Sequence, residues 1–255
     1  MTGWDRKAGP WLTRYTPASA AGNRTQLICL PHAGGSATFF ATFAREMPDS
    51  AEVLAVQYPG RQERRAEPFV DSLPELADHV ADALEHAGDL PLALFGHSMG
   101  ALLAWEVARR LQDRGSGPAH LIVSGRPEPA LHNEVRLHLR SDAELIADLR
   151  HLSGTAAGLL ADDGMLRMVL PVLRSDYKAV DGYRYRPGPP LRCPVSVFLG
   201  ADDAWADRER AEGWRAVTSG PVVFRTFPGD HFYLAAQWPR IARAVADALM
   251  SVPTG

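Results

Sequence analysis

The chain has few of the features that mark secreted, membrane or nucleic-acid-binding proteins. Its 255 residues include 2 cysteines, too few for a disulfide framework, so Cys29 and Cys193 are predicted to be ordinary buried thiols. The formal net charge is −3, and no basic block favours nucleic acid or an anionic membrane as a partner. No apolar run approaches membrane-spanning length, and no apolar segment follows a basic stretch at the N-terminus. We therefore expect a cytoplasmic protein with no nucleic-acid and no membrane partner.

Apolar strands alternate with helical stretches along most of the chain. Because this alternation is typical of βα units, it predicts an α/β fold with a mostly parallel central sheet and helices on both faces. The length suits a single domain, residues 1–255, with an irregular leader over about residues 1–25. The predicted strands are Gln26–Leu30, Val53–Val56, Leu92–Phe95, Leu121–Ser124, Val195–Gly200 and Val222–Phe227.

One stretch, about residues 127–192, is too long to be a simple strand connection and must hold structure of its own. Ser141 followed three residues later by Glu144 has the spacing of a capping box, which predicts a helix over residues 143–152. Residues 165–177 are rich in Leu, Met and Val and predict a second helix, bent or broken by Pro171. We expect this helical insertion to lie over the active site as a lid.

The pentapeptide Gly96-His97-Ser98-Met99-Gly100 stands between an apolar strand and a helical stretch. A G-x-S-x-G sequence in that context is the nucleophile elbow of α/β-hydrolases, in which a sharp turn presents the serine at the edge of the sheet. The predicted fold is therefore the α/β-hydrolase fold, with Ser98 as the nucleophile.

A serine nucleophile needs a base and a group that orients the base. In this fold they follow in the order Ser, Asp, His. His231 comes directly after the last strand, whereas Asp202 and Asp203 follow the strand before it. The spacing Gly-x-x-Asp from Gly200 selects Asp203, and Asp202 remains the alternative. The predicted triad is Ser98, Asp203 and His231.

A Gly-rich turn, Pro31-His32-Ala33-Gly34-Gly35, follows the strand that ends at Leu30. Hydrolases of this fold place one oxyanion-hole amide in such a turn and the other on the residue after the nucleophile. This rule selects the backbone amides of Ala33 and Met99. His32 is predicted to take part in substrate binding; the alternatives are a residue that hydrogen-bonds behind the site and a residue of the turn alone.

Four motifs together resemble the type II (external, editing) thioesterases of polyketide and nonribosomal peptide synthesis. They are Pro31-His32-Ala33-Gly34-Gly35, Tyr58-Pro59-Gly60-Arg61, Gly96-His97-Ser98-Met99-Gly100 and Gly229-Asp230-His231-Phe232. The resemblance runs from about Gln26 to the C-terminal helix. One departure is Asp203-Ala204, where the family commonly has Asp-Pro.

The resemblance implies a function: hydrolysis of acyl thioesters from the phosphopantetheine arms of carrier proteins, which clears mis-primed or stalled acyl groups or releases a product. It implies an acyl or peptidyl carrier protein as the partner and no cofactor of the enzyme's own. It also maps the nucleophile onto Ser98, the base onto His231 and the oxyanion amides onto Ala33 and Met99. Met165 and Met168 of the insertion would then line an acyl pocket, or else pack the lid on the body.

Arg61, Arg64 and Arg65 alternate with Glu63 and Glu67, which favours a solvated loop. The alternative is docking to an acidic carrier protein. The competing functions are a small-molecule carboxylesterase or lipase, an acyltransferase, and a non-enzymatic binding protein on the same scaffold. No apolar surface stripe is evident, so we expect a monomer.

Overall fold

The central sheet has seven strands. The computed structural model describes residues 10–16, 25–85, 90–131, 135–153 and 163–250. The strand order is β1-β3-β2-β4-β5-β6-β7, and only β1 runs antiparallel to its neighbour. The predicted, mostly parallel sheet is confirmed. The strands are β1 (Leu12–Arg14), β2 (Thr25–Leu30), β3 (Ala51–Val56), β4 (Leu92–His97), β5 (His120–Ser124), β6 (Val195–Gly200) and β7 (Val222–Phe227).

Helices cover both faces of the sheet and bury two separate apolar cores. Successive residues of a strand point to opposite faces, so Ile28 packs with the helices α2 and α3, whereas Leu27 packs with α1 and α7. Strands covered on both faces read as continuous apolar runs. The helices are α1 (Ala41–Glu46), α2 (Leu73–Leu84), α3 (Met99–Asp113), α4 (Asp142–Ser153), α5 (Asp163–Gly182), α6 (Arg208–Ala211) and α7 (Trp238–Met250).

The strand order reverses direction between β2 and β4. From β2 the chain goes to β3 on one side, and it then returns to add β4 on the other side. The segments that follow β2 and β4 therefore diverge and leave a crevice at the carboxyl edge of the sheet. Open α/β sheets bind their ligands at such a switch point. The Gly-rich turn and the serine of the elbow both lie there.

The leader, predicted to be irregular, contains one short strand in its described residues. Leu12–Arg14 pairs with β3 in antiparallel register, with Leu12 opposite Val56. Such a short strand carries no alternation of its own, and it forms because the edge of β3 offers unpaired backbone groups. Residues 1–9 and 17–24 lie outside the described residues.

The helical insertion consists of α4, α5 and a short turn at Leu137–Leu139. The capping box is confirmed, because the Glu144 amide donates to Ser141 Oγ at 3.3 Å and the Ser141 amide donates to Glu144 Oε2 at 2.8 Å. Of the predicted bend or break at Pro171, the break is wrong, since α5 continues from Asp163 to Gly182, and the bend stays a prediction. Apolar contacts on both sides of the proline outweigh the lost hydrogen bond, with Leu170 and Leu173 buried in one cluster.

Both cysteines are buried and unpaired, in agreement with the sequence. Among the described residues no helix combines the length and the apolar character that crossing a bilayer requires.

Candidate active site

Ser98 occupies the sharp turn that joins β4 to α3. Its backbone has φ 56° and ψ −116°, a strained conformation for a residue with a side chain and typical of a nucleophile elbow. The two flanking glycines allow this turn. A Cβ on Gly96 would lie 2.0 Å from the carbonyl oxygen of Gly100, and a Cβ on Gly100 would lie 2.0 Å from that of Leu30. The turn therefore excludes any larger residue at both positions.

Three side chains from three strand ends form a continuous hydrogen-bonded chain. His231 Nε2 lies 2.9 Å from Ser98 Oγ. On the other side of the ring, His231 Nδ1 lies 2.8 Å from Asp203 Oδ2. These are the contacts that a general base needs on both of its nitrogens. The structure thus brings together all three residues of the predicted triad.

Asp203 is held as a buried carboxylate, whereas Asp202 is exposed. Oδ1 of Asp203 accepts backbone hydrogen bonds from Trp205 at 3.0 Å and Ala206 at 3.2 Å. Burial by itself raises the pKa of Asp203. The hydrogen bonds from His231 and from these two amides outweigh it and bring the pKa below its ordinary value. The carboxylate is therefore ionised and oriented toward His231.

The backbone amides of the turn after β2 differ in whether they have a hydrogen-bond partner. The amides of Gly34 and Gly35 are engaged, with the Asp176 carboxylate and the His32 carbonyl. Within the described residues, neither the Ala33 amide nor the Met99 amide donates a hydrogen bond to a protein group. Both predicted oxyanion donors are therefore available.

Arg61 and Arg64 are buried, which corrects the predicted solvated loop at these two positions, whereas Glu63, Arg65 and Glu67 are exposed. Arg61 is 8% exposed and pairs with Asp176 of α5. Arg64 bonds Glu67 and stacks on Trp11, with its guanidinium carbon 4.2 Å from the ring centroid. Because Asp176 lies in the insertion and Trp11 in the leader, the local charge pattern gave no signal of this burial.

His32 is enclosed by aromatic rings at the mouth of the turn. Its ring lies edge-on to Phe39 and Phe232, with centroids 4.5 Å and 4.8 Å away. Burial, together with the charges of His231 and Arg61, lowers the pKa of His32 to about 3. The imidazole is therefore neutral at physiological pH. Its predicted contact with substrate stays a prediction.

Met168 of α5 is placed less favourably for substrate contact than the prediction requires. Met168 is 71% exposed, so in this structure it neither lines an enclosed pocket nor packs the insertion on the body. The side chain of Met165 lies outside the described part of the chain.

A second hydrogen-bonded chain lies behind the triad and was missed by the sequence analysis. His97 Nδ1 lies 3.0 Å from Ser124 Oγ, which in turn lies 2.7 Å from the Tyr233 hydroxyl. The His97 ring is 5.1 Å from that of His231. Burial, followed by the charges of His231 and His32, holds the pKa of His97 well below its ordinary value. The only signal in the sequence was the position of His97 inside the elbow.

No group of three or more His, Cys, Asp or Glu side chains among the described residues is arranged to hold a metal ion.

Comparisons with known proteins point to one family. The family model described as "Thioesterase domain" matches residues 25–249. Thioesterase PikA5 of Streptomyces venezuelae is 47% identical over 245 residues, which cover 95% of this chain and 86% of the relative.

Two solved structures are similar throughout. The type II thioesterase BorB from the borrelidin biosynthetic cluster superposes with a TM-score of 0.87 at 46% identity, covering 94% of this chain and 97% of BorB. The type II thioesterase YbtT from the yersiniabactin pathway superposes with a TM-score of 0.85 at 33% identity, covering 95% of this chain and 99% of YbtT.

Proposed function

We propose, from the premise that this chain belongs to the Thioesterase domain family, that it hydrolyses acyl thioesters carried on the phosphopantetheine arms of carrier proteins. The family makes it a hydrolase that acts on thioester bonds. YbtT is named as the type II thioesterase of a nonribosomal peptide and polyketide pathway, and this context supports an acyl or peptidyl carrier protein as the partner. The proposed role is to clear mis-primed or stalled acyl groups, or to release a product.

In the first half of the proposed reaction, Ser98 becomes acylated. His231 Nε2 takes the proton from Ser98 Oγ as the oxygen attacks the thioester carbonyl. The Asp203 carboxylate stabilises the imidazolium that forms. The Ala33 and Met99 amides donate to the oxyanion of the tetrahedral intermediate. The C–S bond then breaks, and the pantetheine sulfur leaves as a thiol with the proton from His231.

In the second half, water releases the acyl group. His231, neutral again, takes a proton from a water molecule as its oxygen attacks the ester carbonyl. The same two amides hold the oxyanion. Collapse of this intermediate breaks the bond to Ser98 Oγ, which recovers its proton from His231. The products are a free carboxylic acid and the enzyme in its starting state. Each step needs only groups of this chain and no cofactor.

The observation that carries the proposal is the hydrogen-bonded chain from Ser98 through His231 to Asp203 beside two unengaged amides. A binding protein on the same scaffold would not need these groups aligned at 2.9 Å and 2.8 Å. A small-molecule esterase would need the same triad, but the family and the relatives favour thioesters.

We further propose that the enzyme acts as a monomer.

The test is intact-protein mass spectrometry on a panel of carrier proteins loaded with different acyl groups. Each carrier is incubated with the wild-type enzyme and with Ser98→Ala. We expect the acyl mass to disappear with the wild type only, and the panel then ranks the acyl preference.

A matched set of simple esters separates the alternatives. If every acyl carrier survives while the esters are cleaved, the enzyme is a small-molecule esterase. If the acyl group moves to an added alcohol or amine rather than to water, the enzyme is an acyltransferase. If Ser98→Ala unloads the carriers as fast as the wild type, Ser98 is not the nucleophile.

A further inference from the structure

A buried ion pair connects the turn after β2 to the helical insertion. Asp176 of α5 is 1% exposed, and its Oδ2 accepts a hydrogen bond from the Gly34 amide at 2.7 Å. The Arg61 guanidinium meets this carboxylate end-on, with Nη1 2.7 Å from Oδ2 and Nη2 2.8 Å from Oδ1. Arg61 Nη1 also donates to the Gly35 carbonyl at 3.0 Å. The pair therefore holds both a donor and an acceptor of the turn.

Apolar side chains of α5 also pack against the turn after β2. Gly34 has φ +78°, and a Cβ at this position would lie 3.2 Å from Leu173 Cδ1 of α5. Ala33 packs against the apolar cluster of the insertion that contains Leu173 and Tyr177. Because the neighbouring peptide is fixed by Asp176 and Ala33 itself is packed, the direction of the Ala33 amide depends on α5.

The charge of the pair matters as much as its geometry. The Asp176 carboxylate touches the amide next to that of Ala33, where negative charge develops in the proposed reaction. An uncompensated carboxylate at this position would oppose the oxyanion, because screening by water is weak in a buried site. The bidentate guanidinium of Arg61 cancels this charge while leaving the hydrogen bond to Gly34 in place.

We propose that Arg61 and Asp176 are positioning residues for the oxyanion hole, which is complete only while α5 is docked on the turn. This inference rests on the proposed function, because it takes the Ala33 amide as an oxyanion donor. It makes the helical insertion part of the catalytic machinery as well as a cover: its docking orients one of the two donors.

The test uses Arg61→Gln, Asp176→Asn and the double variant, with Arg64→Gln as the matched control. Arg64 is a buried arginine of the same loop that bonds Glu67 and the Gln57 carbonyl and does not contact the turn. The asparagine in Asp176→Asn keeps an oxygen that accepts a hydrogen bond from the Gly34 amide. The double variant replaces the ion pair with two uncharged side chains.

We expect the variants to rank in a particular order by their loss of kcat, while KM changes little. Arg61→Gln leaves the Asp176 charge beside the hole and lowers kcat on the order of 30- to 100-fold, approaching the loss of an oxyanion donor. Asp176→Asn lowers kcat only about 3- to 10-fold, because a neutral acceptor stays in place. The double variant recovers part of the activity lost in Arg61→Gln. Arg64→Gln lowers the melting temperature but leaves kcat within about 2-fold.

The affinity for an alkyl boronic acid is a measurement that would stay unchanged if the ion pair had a purely structural role. The boronic acid adds to a serine oxygen to form a tetrahedral anion, and so its affinity reports the hole without any carrier substrate. We expect its affinity to fall in the same order as kcat, among variants whose circular dichroism matches the wild type.

The outcomes separate this inference from the proposed function. Failure of the wild type to hydrolyse carrier thioesters would overturn the proposed function, while boronate affinity would still test the pair. Wild-type hydrolysis with unchanged kcat and boronate affinity in Arg61→Gln and Asp176→Asn would overturn the pair alone. So would equal losses in Arg64→Gln. If Arg61→Gln fails to fold, the test rests on the kcat and the boronate affinity of Asp176→Asn and of the double variant.

Discussion

The sheet with its covering helices and the helical insertion are held together differently. The sheet lies between two large apolar cores, with aromatic residues such as Phe95 and Phe198 fully buried. In its described residues the insertion has a small cluster of its own, in which Leu145, Leu170, Leu173 and Tyr177 are buried, while Ala179 and Tyr183 reach one of the larger cores. Ion pairs also attach it, the buried pair of Arg61 with Asp176 and the exposed pair of Lys178 with Asp71. The triad therefore stands on the part with the larger core, whereas one oxyanion donor faces the part with the smaller one.

Because of this difference, we expect the sheet and the insertion to have different roles. The sheet fixes distances that cannot vary during the reaction, such as that between His231 and Ser98. We expect the part of the insertion that packs in the small cluster to belong to the low-stability end of the structure. Substitutions in the two parts should therefore change different measurable quantities.

The largest effect is expected at the carboxylate of the triad. Asp203→Asn should lower kcat on the order of ten-thousand-fold, because the imidazole loses its orienting anion. The exposed Asp202 serves as the matched control, and Asp202→Asn should keep near-normal kcat. The reverse order of the two variants in a steady-state assay would contradict the assignment of Asp203.

Truncation of core side chains compares the two parts directly. Phe198→Ala should lower the free energy of unfolding by about 3–5 kcal/mol, because it leaves a cavity between packed aromatic rings. Leu145→Ala should lower the free energy of the main unfolding transition by less than about 2 kcal/mol, since Leu145 belongs to the small cluster of the insertion and not to a large core. Urea denaturation gives both values, and hydrogen exchange should show faster exchange in α4 and α5 for Leu145→Ala only. Equal shifts of the main transition would mean that the insertion and the sheet unfold as one unit.

The sheet should also lose stability in mild acid. His97 and His120 are buried, and burial holds the pKa of His97 well below its ordinary value and lowers that of His120 to about 4. Below about pH 6.5 the unfolded chain binds protons that the folded chain does not. Each histidine should then cost up to about 1.4 kcal/mol per pH unit between pH 6 and 4.5. Denaturation at several pH values measures this slope, and a flat profile over that range would show that these imidazoles are protonated in the folded state.

The smallest effect is expected at an exposed ion pair of the insertion. Arg174 bonds Asp142 at 2.6 Å, but the aspartate side chain is 66% exposed. Asp142→Asn should lower the free energy of unfolding by less than about 1 kcal/mol, because water screens the pair. A larger loss in the same denaturation assay would mean that the insertion depends on this pair.

The two parts also differed in how well the sequence predicted them. The strands, the elbow and the order of Ser98, Asp203 and His231 follow from local patterns, because apolar runs and glycine spacing are read within a few residues. The continuity of α5 through Pro171 and the burial of Arg61 depend on contacts far apart in the chain. Asp176, for example, is 115 residues from Arg61. No local pattern marked Asp176, so its contact with the oxyanion turn became visible only in the folded structure.

The central claim is hydrolysis through an acyl-enzyme on Ser98, and rapid quenching of the wild-type enzyme with an acyl carrier tests it most directly. Peptide mapping of the quenched enzyme should find the acyl mass on the peptide that contains Ser98, appearing before free acid accumulates and then decaying. Release of acid with no acyl mass on that peptide, or with the acyl group on another residue, would contradict the account.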